Sequence, residues 1–443
     1  MAMAAQLSAL LRPMLARLGL PPASAVTRLT GGATMESWCI SSGGADYVLR
    51  RAPSPAFMAG RPFGHAEEAA IIRAARAGGV RAPEIIGVLE DSDALGSGFL
   101  MRALPGTADP GTILGTADGP ALLAECAGQL ARIHALSPAA LPEAVPTLDY
   151  RAGVAELVRQ FEATGGDRPI IALGLRWLRD NCPPPAEPVL NHGDFRLGNL
   201  LVDDGRLTGV LDWELAHLGD WHEDLAFGCI AVWRFARYDR PALGLGALDD
   251  YFAAYDAAGG RKVDLGRFRF WSVYRTVWWA LGCLRQAQVW RDGQDRMLER
   301  VVISRRTSEN ELDLLMLLDG ELAPGIAPPP AKAAAAETGE ASAAELAEAV
   351  GEWLASLKDK VSGHDRFQLA VARNALGMAA REHRIAPNVC DRALADALLA
   401  GRSDDAAGAA IAQLRRDALD KLAADVPKYP ALAAARALWE GED

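Results

Sequence analysis

The chemistry of this chain gathers between residues 189 and 216, in VLNHGDFRLGNLLVDDGRLTGVLDWELA. Asp194, Asn199 and Asp212 are the residues there whose types can act on a phosphoryl group. One carboxylate can orient an attacking hydroxyl and accept its proton. An amide oxygen and a second carboxylate can share a hard cation such as Mg²⁺, which takes a few protein oxygens together with phosphates and waters. Two short apolar runs must position these groups, NLLV (199–202) and LTGVLDW (207–213), with DDGR (203–206) between them. Asp-Gly between such runs is a hairpin signal. Folded about that turn, the runs place Asn199 on the same face as Asp212, about two positions from direct opposition. Diagonal neighbours of this kind have Cβ atoms within ~8 Å. Asp194 precedes Asn199 by five residues, in the loop that enters the hairpin, beside His192 and Gly193.

This spacing is that of a kinase catalytic loop, H-R-D-x-x-x-x-N, with a second metal-binding Asp on a following hairpin. An HGD triplet alone is ordinary turn chemistry; the combined base, amide, hairpin and facing acid is what carries the reading. At HGDFRLGNLLV and GVLDWELAHLGD the chain resembles the aminoglycoside phosphotransferase-like, protein-kinase-like family of small-molecule kinases, in the branch associated with acyl-CoA dehydrogenases. The resemblance implies an α+β, two-lobed kinase-like fold, with a small β-rich N-lobe and a mostly helical C-lobe. It implies ATP and Mg²⁺ as cofactors, Asp194 as catalytic base, and Asn199 and Asp212 as metal ligands. Glu214 stands where many relatives carry a second polar or acidic residue. Trp221 departs from the proline usual after LGD, which touches a turn rather than the chemistry. His192 reads as a brace for the loop backbone.

At 443 residues, two or three domains are expected. Half the residues are hydrophobic and 23% charged, the balance of a soluble globular chain. A net charge of −11 argues against general nucleic-acid binding, which needs a basic footprint. The six scattered cysteines form no C-x-x-C pair and point to a reduced, cytoplasmic chain without a zinc site. Residues 1–19 read as an amphipathic helix rather than a signal peptide. No stretch approaches the ~20 apolar residues of a membrane span.

The N-lobe is placed at 1–102. LTGGATME contains Gly31 and Gly32, whose backbone can approach an anion closely; a plain turn between strands is the competing reading. The chain lacks the G-x-x-x-x-G-K-[ST] of P-loop enzymes. DYVLRR puts Arg50 where a kinase strand carries its phosphate-anchoring cation, with an exposed strand arginine as the alternative. A helix over 65–77, ended by Gly78-Gly79, carries Glu67 and Glu68; alignment with the family favours Glu68 as the partner of Arg50. In the family, residues 99–104 form the hinge that pairs with adenine, which makes Met101 and Ala103 the approximate backbone contacts. Leu29, Val48, Ile86 and Met101 would wall the purine.

The catalytic and acceptor lobe is placed at 103–322. His134 reads as a buried structural histidine, and His217, His222, Glu223 and Asp224 as loop-bracing residues before any metal site. Residues 236–300 should hold the acceptor site. Their aromatic and arginine residues, among them Trp271, Tyr274, Trp278, Arg267, Arg269 and Arg275, are the usual stuff of a core but also suit a cleft for a coenzyme A thioester. An aminoglycoside acceptor would want an acidic surface instead.

Residues 323–342 are a Pro/Ala-rich linker. From 343 to 443, four alanine-rich amphipathic segments predict an all-α helical bundle. It resembles a small uncharacterised domain encoded beside, or fused to, kinases of this branch, and is expected to pack on the lobes or mediate oligomerisation. The whole reads as an ATP/Mg²⁺-dependent kinase of a small-molecule hydroxyl, with a hydroxyacyl-CoA thioester as the acceptor the branch implies. An aminoglycoside or amino-alcohol kinase is the alternative within that class. A nucleotide-binding pseudokinase or scaffold is the alternative outside it, favoured by arginine in place of lysine at position 50 and opposed by the intact Asp194, Asn199 and Asp212.

Overall fold

The computed structural model describes residues 2–29, 35–52, 58, 61–322, 326–332, 339–401 and 407–441. The first lobe is a five-stranded antiparallel sheet in the order β1 (Ala23–Arg28), β2 (Glu36–Ser42), β3 (Ala45–Ala52), β5 (Ser97–Arg102), β4 (Ile85–Val88). Helix α1 (Ala2–Arg17) buries Leu7, Leu11, Met14 and Leu15 against Trp38, Ile40 and Leu49. The i, i+4, i+7, i+8 spacing makes that apolar stripe. Arg17 ties the helix end to Glu90 and Asp93. The period-2 alternation of β3 then decides the site. Tyr47 and Leu49 face α1, so Arg50 points to the other face.

On that other face lies α2 (His65–Ala77). Its two glutamates divide the work. The Glu67 carboxylate accepts from the backbone N–H of Gly64 at 3.0 Å, which satisfies one free donor at the helix start, while Glu68 is buried and faces Arg50.

The second lobe is helical apart from two short strand pairs: β6 (Val189–Asn191) with β9 (His217–Gly219), and β7 (Leu200–Asp203) with β8 (Arg206–Val210). Its helices are α3 (Pro110–Thr116), α4 (Gly119–His134), α5 (Tyr150–Ala163), α6 (Pro169–Asp180), α7 (Trp221–Phe227), α8 (Leu248–Ala257), α9 (Leu265–Arg291), α10 (Leu298–Ser304) and α11 (Thr307–Leu318). Helix α9 is the spine, packed on α5, α6, α7, α10 and α11.

The tail differs from the expected four-helix bundle. It has five helices among the described residues: α12 (Ala343–Ala355), α13 (Gly363–Ile385), α14 (Arg392–Ala400), α15 (Ala407–Asp425) and α16 (Pro430–Glu440). Helix α14 lies on α6, and α15 and α16 lie on α11. Leu398, Leu414, Leu419, Leu422 and Trp439 therefore share one core with the second lobe. The short α16 escapes the periodicity reading because alanine, small and ambiguous, dominates it. No helix among the described residues is long and apolar enough to cross a membrane.

Candidate active site

The loop carrying Asp194 is held from behind. The backbone N–H groups of His192 and Gly193 both donate to the buried Asp224 carboxylate, at 2.6 and 2.8 Å. Arg275 donates to the Gly193 carbonyl at 2.9 Å and pairs with Glu223 at 2.8 Å. Gly193 has φ +81°, and a Cβ there would collide with the Leu215 carbonyl, so the turn requires glycine. His192 packs at 4.7 Å against Trp213, the rings tilted by 56°, and bonds the Leu211 carbonyl at 2.9 Å through Nε2. It braces the loop.

Asp194 accepts from Arg196 Nε at 2.8 Å and from Asn199 Nδ2 at 2.6 Å. Burial pushes its pKa up, opposed by Arg196 and helped by the nearby charge of Asp212. Arg196 lies over the Trp233 ring at 4.4 Å. The sequence reading missed Arg196 as a partner of Asp194, although its place two residues after Asp194 was a signal.

Asp204 (φ 46°) and Gly205 (φ 71°) make the turn that Asp-Gly predicts. The ladder, however, slips between Leu201 and Val202, so Asp203 faces Arg206 but Leu200 faces Val210. Leu211 N–H then donates to the Asn199 carbonyl at 2.9 Å. Asp212 is one residue from opposition to Asn199 rather than the expected two. A one-residue slip would turn its side chain to the wrong face, and the left-handed conformation of Asp212 (φ 65°) resets the direction of the chain there. Asn199 ends a short 3₁₀ turn, Leu197–Asn199, ahead of the strand.

These two residues fit a hard cation. The Asn199 amide nitrogen donates to the carbonyl and carboxylate of Asp194, at 2.9 and 2.6 Å. Both partners are acceptors, which fixes the amide orientation and leaves Oδ1 as the ligating end. Asp212 offers a second oxygen beyond the one that meets Arg50.

Arg50 closes the site from the first lobe. Its Nη2 meets Asp212 Oδ1 at 2.7 Å and also Glu214 Oε2, and its Nε lies 3.5 Å from Glu68. Burial alone would lower the Arg50 pKa, but the surrounding carboxylates raise it above the ordinary arginine value. Burial pushes Glu68 up to about 7, with Arg50 opposing. Arg61 adds a second guanidinium on Glu214 at 2.6 Å. Nothing in its local sequence, GRPFG, announced this.

Gly31 and Gly32 lie outside the described residues. The hinge expectation shifts. Met101 sits inside the sheet, between Val48 and Ile85, and the N–H of Ala103 donates to the Asp46 carbonyl at 3.0 Å. The Ala103 N–H is thereby engaged within the sheet. Of the purine-wall residues, Leu29 is exposed, while Ile86 packs against the α1 cluster.

The arginine and tryptophan helix is mainly structural. Trp271 is buried, Arg267 pairs with Asp220 at 2.9 Å, and Arg269 pairs with Glu321. A cavity of about 250 Å³ does open beside the catalytic loop, lined by Pro62, Leu148, Leu215, Tyr274, Arg275 and Trp278 among others. Its lining is largely apolar, and its acid, Glu223, is already bonded to His217 at 2.9 Å and to Arg275. His134 bonds Tyr255 at 2.7 Å, and His222 bonds Asp220 at 2.5 Å, so these histidines serve the scaffold.

The model of the phosphotransferase enzyme family matches residues 25–264. A curated mouse protein, acyl-CoA dehydrogenase family member 10, is 31% identical over 229 residues, 47% of this chain and 21% of its own length. Human acyl-CoA dehydrogenase family member 11 is 27% identical over 226 residues, 47% of this chain and 28% of its own length. This chain thus spans only about 21% and 28% of the length of these two relatives. An aminoglycoside 3'-phosphotransferase of Escherichia coli is 36% identical over 61 residues, 14% of this chain and 21% of its own. A solved structure from Ralstonia eutropha, described as a candidate aminoglycoside phosphotransferase, superposes with a TM-score of 0.56 at 20% identity, over 70% of this chain and 97% of that one. It shares the fold.

Proposed function

The chain belongs to the phosphotransferase enzyme family, and from that premise we propose that it transfers the terminal phosphoryl group of ATP to a hydroxyl of a small molecule, most readily a hydroxyacyl-CoA thioester. The observation that carries the proposal is the convergence of Asp194, Asn199 and Asp212 with Arg50, which reaches across from the first lobe. Asp194 orients the acceptor hydroxyl and takes its proton; its raised proton affinity suits a base. Arg196 and Asn199 hold that carboxylate in place. Arg50, backed by Glu68, anchors the phosphates. Asn199 and Asp212 would hold Mg²⁺, which neutralises charge on the phosphates when bound. The same reading assigns Gly31 and Gly32 to the phosphates from the sequence alone, and Ala103, with Met101 behind it, to the purine.

The acceptor class rests on two supports. The cavity beside the catalytic loop is apolar and its acid is already paired, which suits an acyl chain better than a polycation. The relatives that cover half of this chain carry acyl-CoA dehydrogenase names. The short match to an aminoglycoside 3'-phosphotransferase favours an aminoglycoside or amino-alcohol as the second reading. The division into lobes at 1–102 and 103–322, a linker at 323–342 and an accessory region at 343–443 belongs to the same proposal. The test is ATP consumption with Mg²⁺ across hydroxyacyl-CoA thioesters, free hydroxy acids, amino alcohols and aminoglycosides, with product mass measured. Turnover confined to thioesters is expected. Turnover of aminoglycosides alone would replace the acceptor, and nucleotide binding without any turnover would favour a pseudokinase.

A further inference from the structure

Glu214 occupies an unusual position for a side chain to which the proposed transfer gives no role. One of its oxygens, Oε2, receives an N–H from Arg50 Nη2 and another from Arg61 Nη1. The two guanidiniums arrive from separate segments of the first lobe, one on β3 and one ahead of α2. A single anionic oxygen held by two converging arginine forks is how proteins hold a phosphate oxygen. The cluster is open on one side, with Arg50, Arg61 and Glu214 side chains 13%, 16% and 19% exposed, while Glu68, at 4%, closes its back. Two cations here meet three carboxylates, Glu68, Asp212 and Glu214. The excess is negative, so the two arginines do not need the third acid for their own charge balance.

We infer that Glu214 is a placeholder for a phosphate oxygen, and that Arg50 and Arg61 together form a polyphosphate seat that Glu214 fills until a ligand displaces it. This rests on the kinase reading for its ligand, a nucleoside triphosphate, but the seat itself recognises only the phosphate chain. Displacement follows from charge. A triphosphate brings several anionic oxygens to the two forks, and the single Glu214 carboxylate competes with them. Glu214 thereby gives Arg50 a partner beyond Asp212 and Glu68 and ties Arg61 to the same oxygen. Arg61 is the new phosphate contact, and Glu214 sets how tightly phosphates bind.

The test uses two variants that break the same ion pair. Binding of ATP and of inorganic pyrophosphate to the full chain is measured by calorimetry, with and without Mg²⁺, for wild type, Arg61→Ala and Glu214→Gln. The seat predicts opposite shifts. Arg61→Ala should weaken both ligands roughly tenfold or more, and Glu214→Gln should tighten both, most visibly without Mg²⁺. If Glu214→Gln instead weakens ATP and abolishes the effect of Mg²⁺, Glu214 is a metal ligand and the placeholder is overturned. Parallel weakening in both variants would reduce the pair to a structural brace, and an unchanged Arg61→Ala would remove Arg61 from the site. Arg61→Lys, which keeps the charge, separates lost folding from a lost contact: partial recovery is expected. Pyrophosphate keeps the two proposals distinguishable. Opposite shifts on pyrophosphate in a chain that transfers nothing from ATP would uphold the seat and defeat the kinase reading.

Discussion

At the cleft, Arg50 and Arg61 meet Glu68, Asp212 and Glu214, two cations against three acids. At the seam between tail and second lobe, Arg305 and Lys421 meet Glu382 and Asp425, two against two. Both clusters are partly or wholly buried, and both join segments distant in sequence. The seam is matched: each charge has a partner within the protein, although a cavity of about 320 Å³ borders Arg305, Lys421 and Asp425, and apolar Leu422 and Leu419 are buried on the same helix. The cleft is unbalanced towards negative charge, which a cation such as Mg²⁺ would redress. Matched charge registers two bodies against each other; unmatched charge, kept at an open face, marks a place for a ligand.

The comparison can be broken from either side. Asp194→Ala should lower transfer by about 10²–10⁴-fold while nucleotide affinity stays near wild type, since this carboxylate acts on the acceptor; single-turnover rates beside binding isotherms check it. Loss of affinity instead would move Asp194 from acceptor to nucleotide. At the seam the expectation is inverted. Asp425→Ala leaves Arg305 and Lys421 without their buried acid and should cost about 3 kcal/mol of stability, read by denaturant unfolding, with nucleotide affinity unchanged. Asp212→Asn comes next. It should remove the tightening of ATP by Mg²⁺, by about tenfold, roughly 1.4 kcal/mol, with little change in unfolding. Equal metal dependence in the variant would take Asp212 out of the site.

The smallest effect sharpens the seam by pH. Asp313 is buried on α11 and accepts from the Tyr429 hydroxyl at 2.6 Å. Burial raises its pKa from 3.8 to about 7. A carboxyl whose folded value is raised stabilises the fold fully below its unfolded value. That stabilisation fades as pH climbs towards the folded value. Stability should therefore decline from about pH 4 to about pH 7, and Asp313→Asn should flatten that decline. The slope that remains belongs in part to Glu68, whose pKa is raised into the same window. A decline identical in wild type and Asp313→Asn would show that this contact plays no part in the docking of the tail.

The catalytic loop was readable because its information is local. Asp194 and Asn199 are five residues apart, and Asp204-Gly205 writes its turn in the sequence. Glu68 could be separated from Glu67 by family alignment, and the structure shows the physical reason, since Glu67 is occupied at the helix start. The register of the hairpin was less legible, because a one-residue slip between Leu201 and Val202 leaves no mark in composition. The hinge was legible only to within a few residues for a similar reason: which backbone N–H is free depends on which strands flank β5, and Ala103 donates to Asp46 across the sheet.

Sequence alone, with the family resemblance, singled out the proposed base and metal-binding pair, and it placed a cation on the third strand and helices in the tail. These follow from residue type, short spacing and turn chemistry. Tertiary structure alone decided that Arg61 meets Arg50 on Glu214, that Arg275 supports Gly193 from 82 residues away, and that α15 and α16 complete the core of the second lobe. Charged side chains carry no periodicity that names a partner. Which carboxylate an arginine finds is settled only when packing brings distant elements together and desolvation makes an unpaired charge too costly to keep.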